Sequence, residues 1–430
     1  MCGIYGIIGK DVKKYKSHFK LMGNEIKHRG PDFSGNFISN NLLLGHQRLS
    51  ILDLSKKANQ PLKSLNSRYL ISFNGEIYNY VELLKQLKME KNFGDTRALI
   101  EILSKHNIKG LDKLRGMFAF ALHDSIKETT YLVRDRFGIK PLYYMKQNNS
   151  FYFASEIKPL LKVSDKTNVN EKIIKDYLRE SLVDHTNETF FKNIYQLDPG
   201  SYLKVDKNGN ILKKIRWYNL SNKLTKNSTN IKNAEEKYYE IFKDTLRLHL
   251  RSEVKVGLAL SGGIDSKIIL DEVINRFSDE KLNSYSFCFK EKKYSEKTGI
   301  IQNIGKHKLN SVIVNQSESI LNEFKKNIII QEQPFGGIAT IAMNNLFKKV
   351  KDDKIKVILT GAGADDCLAG SNREIIYYLS SIRKQKNKFN SEISYFCKIN
   401  NLDRNIIINR IDSLKKNHLT SADGTNATDD

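Results

Sequence analysis

Over roughly the first two hundred residues, short apolar runs recur between turn residues, at a spacing that suits strands better than helices. They are Gly3–Gly9, Leu42–Leu44, Tyr69–Phe73, Met117–Leu122, Tyr131–Val133, Leu142–Tyr144 and Phe151–Phe153. Helical periodicity appears only near Lys16–Lys27, Tyr80–Leu87 and Thr96–Ser104, the last with Leu99, Ile100 and Leu103 on one face. Many strands and few helices predict packed sheets with helices outside, an α+β layer arrangement. Leu197-Asp198-Pro199-Gly200-Ser201-Tyr202 reads as a hairpin closing this first domain, residues 1–205. A linker rich in Asn, Ser, Thr and Lys is expected within 206–232.

The pattern then changes. A helix is predicted from Ala234 to about Leu250, with Tyr238, Ile241, Phe242, Thr245 and Leu248 on one face. The short runs Val254–Leu260, Ser284–Phe289, Ser311–Val314 and Val357–Thr360 alternate with helical stretches, including Ser295–Lys306. Such alternation predicts a doubly wound parallel sheet in a second domain, residues 233–416, with ligands at the C-terminal ends of its strands. Residues 417–430, Ser, Thr, Asn and Asp rich, read as a disordered tail.

Composition narrows the functional classes. The 430 residues carry a formal charge of +23, which raises a nucleic-acid partner. The lysines are dispersed in pairs such as Lys13–Lys14, Lys213–Lys214 and Lys348–Lys349 and are not interleaved with aromatics, so solubility explains them better. Cys2, Cys288, Cys367 and Cys397 form no C-x-x-C pair, against a zinc site or a disulfide framework. No apolar run approaches the roughly 20 residues of a membrane span, and no leader is evident, so the expected compartment is the cytoplasm.

Candidate chemistry begins at the amino end. Trimming of Met1 would leave Cys2 with a free α-amine of pKa about 7.7–8.0, a base on the same residue as the nucleophile. A buried structural cysteine is the plain alternative. Downstream lie His28-Arg29-Gly30-Pro31-Asp32, Arg48-Leu49-Ser50-Ile51-Leu52-Asp53, Asn74-Gly75-Glu76-Ile77-Tyr78-Asn79, Gly94-Asp95-Thr96, the Arg134–Tyr144 stretch and Ala154-Ser155-Glu156-Ile157-Lys158. Singly each has a structural reading: Asn74-Gly75 as a turn following a strand, Asp95 or Thr96 as a helix cap, Arg48 as a surface pair where a strand begins.

In this order after Cys2, these segments resemble the class II, N-terminal-nucleophile glutamine amidotransferase domain, in the version found in glutamine-hydrolysing asparagine synthetases. The resemblance implies a four-layer αββα sandwich. It implies Cys2 as nucleophile, and Asn74 with the Gly75 N–H as the oxyanion hole. It further implies Arg48 on the α-carboxylate of glutamine, with Asp95 and Glu76, beside Asn74, around the α-ammonium.

Farther on, the run ending at Leu260 is followed by Ser261-Gly262-Gly263-Ile264-Asp265-Ser266 and a helix, a strand–glycine turn–helix arrangement suited to phosphate. SGG-x-DS resembles the PP-loop of ATP pyrophosphatases, and the segment from Gln333 to Gly370 resembles the second half of asparagine synthetases. Leu260, Ser261, Gly262, Gly263, Asp265, Ser266 and Gly361 would then hold ATP, and Asp265 with Asp365 would hold Mg²⁺. Ala362 occupies a place where the family carries an acidic residue, and the family extends beyond residue 430. The implied activity is amidation of aspartate through an acyl-adenylate, with ammonia from glutamine. Alternatives are another carboxylate acceptor, such as a sugar acid, or a glutaminase with a degenerate second domain. The oligomeric state is left open, a homodimer among the options.

Overall fold

A computed structural model of the chain describes residues 1–90, 92–224, 233–276, 282–292, 295–307, 309–316, 320–335, 337–364, 372–400 and 402–416. The chain divides into two compact units, Met1–Val256 with Ser319–Asn344 and Lys351–Val357, and Gly257–Glu318 with Asn345–Val350 and Ile358–Asp430.

The first unit is organised by two antiparallel six-stranded sheets. The strands in chain order are β1 (Gly3–Ile8), β2 (Phe33–Ile38), β3 (Leu42–Arg48), β4 (Leu62–Lys63), β5 (Tyr69–Ile77) and β6 (Gly116–Asp124). They continue with β7 (Thr129–Arg134), β8 (Tyr143–Gln147), β9 (Ser150–Ala154), β10 (Tyr195–Gln196), β11 (Ser201–Asp206) and β12 (Ile211–Arg216). One sheet runs β10-β8-β9-β1-β3-β2 and the other β12-β11-β7-β6-β5-β4. Period-two alternation divides the central strands between two cores. From β1, Ile4 and Ile8 point between the sheets, meeting Ala119, Ala121 and Leu203, while Tyr5 and Ile7 point outward. On that outer face Phe19 and Met22 of α1 (Lys16–Glu25) cover the first sheet. Phe118 and Phe120 face the opposite way, under Leu83 and Leu84 of α2 (Tyr80–Gln86) and Leu99 and Leu103 of α3 (Asp95–His106). The result is the expected αββα sandwich.

Four local expectations change. Asn74 and Gly75 do not follow a strand; they lie inside β5, paired with Ala119 and Phe118 of β6. Arg48 ends β3 and does not begin a strand. The Pro199-Gly200 turn makes no hairpin. It carries the chain from β10 in one sheet to β11 in the other, with Gly200 at φ +60 and its N–H donating to the Asp135 carbonyl at 2.7 Å. Pairing there follows burial: Ser201, Leu203 and Val205 alternate inward, and Leu203 and Val205 align on Leu132 and Thr130 of β7. Finally, β12 lies in the segment assigned to a linker. It is an edge strand exposed at every residue, so no hydrophobic alternation marks it.

The helix Ala234–His249 forms as predicted, but Tyr238 and Ile241 of its apolar face are exposed. It is held at its C-terminal half, where Asp244 pairs with Arg115 at 2.8 Å and His249 packs on the Tyr78 ring at 4.0 Å.

The second unit contains a four-stranded sheet ordered β15 (Asn310–Asn315), β14 (Asn283–Cys288), β13 (Val256–Ala259) and β16 (Val357–Leu359). The pairs β13–β14 and β14–β15 are parallel, and the helices Ile264–Arg276 and Lys297–His307 alternate with the strands. Among the described residues no helix is long and apolar enough to cross a membrane. Asp365 and residues 417–430 lie outside the described residues.

Candidate active site

The pocket of the first unit gathers residues that are far apart in sequence. Cys2 sits at the edge of β1, where its Sγ accepts the Leu49 N–H at 3.3 Å and faces the Leu49 carbonyl at 3.6 Å. Burial pushes the thiol pKa up, opposed by the bond from Leu49 and by the terminal ammonium. Burial also pulls the Met1 amine of the unprocessed chain down to about 5. Arg29 holds the backbone of Cys2: its Nε donates to the Cys2 carbonyl at 2.9 Å and its Nη1 to Glu156 Oε1 at 2.8 Å. His28 Nε2 reaches the same Oε1 at 3.0 Å. Burial disfavours the Glu156 carboxylate, yet its bonds with His28 and Arg29 prevail and keep it below the ordinary range.

Opposite Cys2 runs the end of β5. Asn74 is fully buried, and among the described residues neither its Nδ2 nor its Oδ1 has a hydrogen-bond partner. Leaving a buried amide unpaired costs about 1–3 kcal/mol; such a group is held ready for something that arrives. A Cβ on Gly75 would lie 2.2 Å from the Met117 carbonyl on β6, so only glycine lets the two strands meet here. Gln60 fixes this strand to α3, accepting the Phe73 N–H at 2.7 Å and donating to Thr96 Oγ1 at 3.2 Å.

Asp95 is the first residue of α3, and it caps no helix end; Gly94 takes that position. Its Oδ2 accepts the Ile77 N–H at 3.1 Å. Burial lifts its pKa to about 7, and Glu76 adds to the rise. The Glu76 carboxyl is itself raised by burial, with Lys140 pulling it back. Two carboxyls that both resist ionisation make a seat that a cation would stabilise.

Arg48 is buried and not a surface pair. Its Nη1 donates to the Ser55 carbonyl at 2.9 Å and to Asn59 Oδ1 at 2.7 Å, and its Nη2 to the Asp53 carbonyl. Of the five guanidinium donors, Nε–H and one Nη2–H are left, an edge suited to a carboxylate. The loop is fastened in turn by Glu253, whose oxygens accept the N–H groups of Asp53 at 2.9 Å and Leu54 at 3.3 Å. Cys2, Asn74, Gly75, Glu76, Asp95 and Arg48 line one cavity with Lys140. The arrangement offers a nucleophile, an unpaired amide donor, an anionic seat and a cationic one, the set needed to attack the side-chain amide of an amino acid.

In the second unit, Leu260 is buried with both backbone groups engaged, its N–H on the Tyr285 carbonyl at 2.8 Å and its carbonyl on Ser286 Oγ at 2.7 Å. The loop beyond it is closed by Ser261 Oγ and Ser266 Oγ, 2.9 Å apart, and the Gly263 N–H donates to Ser261 Oγ at 3.1 Å. The Gly262 N–H donates to Glu296 Oε2 at 2.8 Å, so a carboxylate already sits on the turn. A Cβ on Gly361 would fall 2.9 Å from both Asp265 Cβ and the Ser266 nitrogen, so this glycine lets the loop after β16 close on the helix start. Asp265 stands in the first turn of Ile264–Arg276. Among the described residues no group of three potential metal-binding side chains occurs.

Residues 1–218 match the family described as glutamine amidotransferase domain, and residues 237–411 the family described as asparagine synthase. The glutamine-hydrolysing asparagine synthetase 1 of Bacillus subtilis is 32% identical over 86% of this chain and 59% of its own length. A putative asparagine synthetase 2 of Methanocaldococcus jannaschii is 32% identical over 89% of this chain and 78% of its own. The chain belongs to the asparagine synthetase family. The amidase chry2 of Gibberella zeae is 27% identical, over 85% of this chain and 57% of its own.

The chain spans 59% and 57% of the length of two of these three relatives. Sequence reasoning had not singled out Arg29, Glu156, Gln60, Glu253 or Lys140, although three of them stand in the quoted segments. The roles of Arg29, Glu156 and Glu253 depend on partners 127 residues away, as between Arg29 and Glu156, or 200, as between Asp53 and Glu253, and that of Gln60 on partners 13 and 36 residues away. Only the adjacency of those segments to the quoted motifs could have pointed to them.

Proposed function

We propose that this chain is a glutamine-dependent amidotransferase of the asparagine synthetase type, which hydrolyses glutamine and uses the ammonia to amidate aspartate with ATP. The observation that carries the reading is the meeting of the Cys2 thiol and the unpaired Asn74 amide in one cavity with Arg48, Glu76 and Asp95. With Met1 removed, the α-amine of Cys2 takes the thiol proton and the sulfur attacks the side-chain carbonyl of glutamine. Asn74 Nδ2 and the Gly75 N–H stabilise the oxyanion, an effect of roughly 2.7–4 kcal/mol per donor. The tetrahedral species collapses to a thioester as ammonia leaves with the transferred proton, and water then releases glutamate and restores the thiol. Arg48 holds the α-carboxylate, and Asp95 with Glu76 the α-ammonium.

The SGG turn and the start of the Ile264–Arg276 helix would receive the phosphates of ATP; that Gly262 already holds a carboxylate supports an anion seat. Mg²⁺, when bound with ATP, would neutralise phosphate charge; Asp265 is the described carboxylate at hand, and Asp365 completes the proposed pair. Aspartate attacks the α-phosphorus, pyrophosphate leaves, and ammonia displaces AMP from the acyl-adenylate. The division of labour is residues 1–205 for hydrolysis and 233–416 for adenylation, in the cytoplasm.

Ala362, between Gly361 and Gly363, favours a second reading in which the acceptor is another carboxylic acid, such as a sugar acid. ATP–pyrophosphate exchange over a panel of acids tests both. Exchange with aspartate supports the first reading, exchange with a different acid only supports the second, and silence with every acid leaves a glutaminase alone.

A further inference from the structure

Lys140 lines the pocket with the proposed nucleophile and has no task in the reaction above. Its backbone is clamped on both sides: Arg134 Nε donates to its carbonyl and its N–H donates to Asp135 Oδ2, each at 2.9 Å. The side chain is 5% exposed and lines the cavity with Cys2 and Glu76. Among the described residues Nζ pairs with the Met1 thioether Sδ at 3.1 Å and with no carboxylate. A thioether is a weak acceptor, and a buried cation without a good partner is unfavourable. Moreover, Met1 is the residue whose removal the proposed chemistry requires. Processing therefore removes this contact and leaves Nζ in a cavity that Cys2 also lines.

The groups around it act in known directions. Burial is the strongest influence and lowers the Lys140 pKa; Glu76, the Cys2 thiol and Asp135 favour its charge, and Arg29 opposes it. At the Met1 amine of the unprocessed chain burial again dominates, with Arg29 and Lys140 disfavouring the ammonium form and Cys2 and Glu76 favouring it. Asp95 bears on the thiol from α3.

We propose that Lys140 is a positioning residue for the nucleophile, a buried cation that favours the Cys2 thiolate over the thiol and the free α-amine over its protonated form. The inference rests on the reading of Cys2 as the processed nucleophile. Both effects have one sign: they extend reactivity to lower pH.

The test uses the full chain, with removal of Met1 verified by intact mass. In Lys140→Met the acid limb of kcat/KM for glutamine hydrolysis should move up by about one pH unit, the low end of what a neighbouring opposite charge does. Activity on that limb should fall about tenfold and converge with the parent at high pH, and Lys140→Arg should restore the limb. A pH-independent loss, or an unmoved limb, overturns the proposal. A second readout needs no substrate: the rate of iodoacetamide alkylation at Cys2, followed on the tryptic peptide 2–10, should show the same upward shift. An unshifted alkylation profile also overturns it. If the parent leaves glutamine intact while alkylation still tracks Lys140, the glutaminase reading fails and the Lys140 inference stands. Should Lys140→Met not fold, Lys140→Gln carries the same expectations.

Discussion

The cavity around Cys2 and the turn around Gly262 are assembled in different ways. The first collects side chains from β1, β3, β5 and α3, each locked by a strand ladder or by a bond such as that from Gln60 to Thr96. The second is one local stretch, 260–266, closed by its own serines and by Glu296. The first cavity leaves the Asn74 amide unpaired among the described residues, whereas the turn proposed to receive phosphate already holds a carboxylate of the same chain. Preorganisation of this kind lowers the cost of reaching a transition state. An internal anion on a phosphate seat must be displaced before a nucleotide can bind. The contrast predicts a glutaminase half that works as folded and an ATP half whose affinity is held down.

The largest effect should come from Cys2→Ala. Glutamine hydrolysis should fall to background while synthesis with added ammonium salt persists, measured as glutamate release and AMP formation. Loss of both would mean that the two regions are not separable, and the contrast would fail. Next comes Asn74→Ala, which should lower kcat for glutamine hydrolysis by about 10²–10³ with KM little changed, as removal of one oxyanion donor does. An equal change in KM would make Asn74 a ground-state contact.

These two residues also mark how far the sequence could be read. Packed sheets with helices outside were legible from apolar runs such as Ile4–Ile8 and Phe118–Leu122, whose alternate residues face different cores, but the four-layer αββα sandwich came only with the family resemblance. The main pocket residues were legible as ordered motifs, though their local structures were not. Asn74-Gly75 has the composition of a turn, yet the Met117 carbonyl 2.2 Å from a Cβ on Gly75 reveals a strand in which glycine serves close packing. The edge strand β12 escaped because nothing buries it. Arg29 and Glu156 escaped as a pair because their contact joins positions 127 residues apart.

A smaller effect should appear in binding. Asp95, lifted to about 7 by burial, is protonated below that value and then no longer attracts the α-ammonium of glutamine. KM for glutamine should therefore rise as pH falls through 7, while Asp95→Asn should raise KM about 10- to 100-fold, the worth of a hydrogen bond to a charged group, and flatten this dependence. A KM independent of pH in the parent would show that Asp95 stays ionised, or that Glu76 carries the seat alone.

The smallest effect bears on the second region. Glu296 Oε2 takes the Gly262 N–H at 2.8 Å, so phosphate oxygens approaching this turn meet a negative charge and a donor already engaged. In Glu296→Gln the amide oxygen can keep the bond to Gly262, so the turn should retain its shape while the repulsion disappears. Screening by solvent at this exposed turn limits the gain; ATP affinity, read by calorimetry with Mg²⁺ present, should tighten by about three- to tenfold, consistent with a salt-bridge-sized effect of roughly 1 kcal/mol. Weaker binding would reverse the assignment, making Glu296 a contact of the nucleotide or its cation. The two regions would then be alike, each already holding the groups its substrate needs.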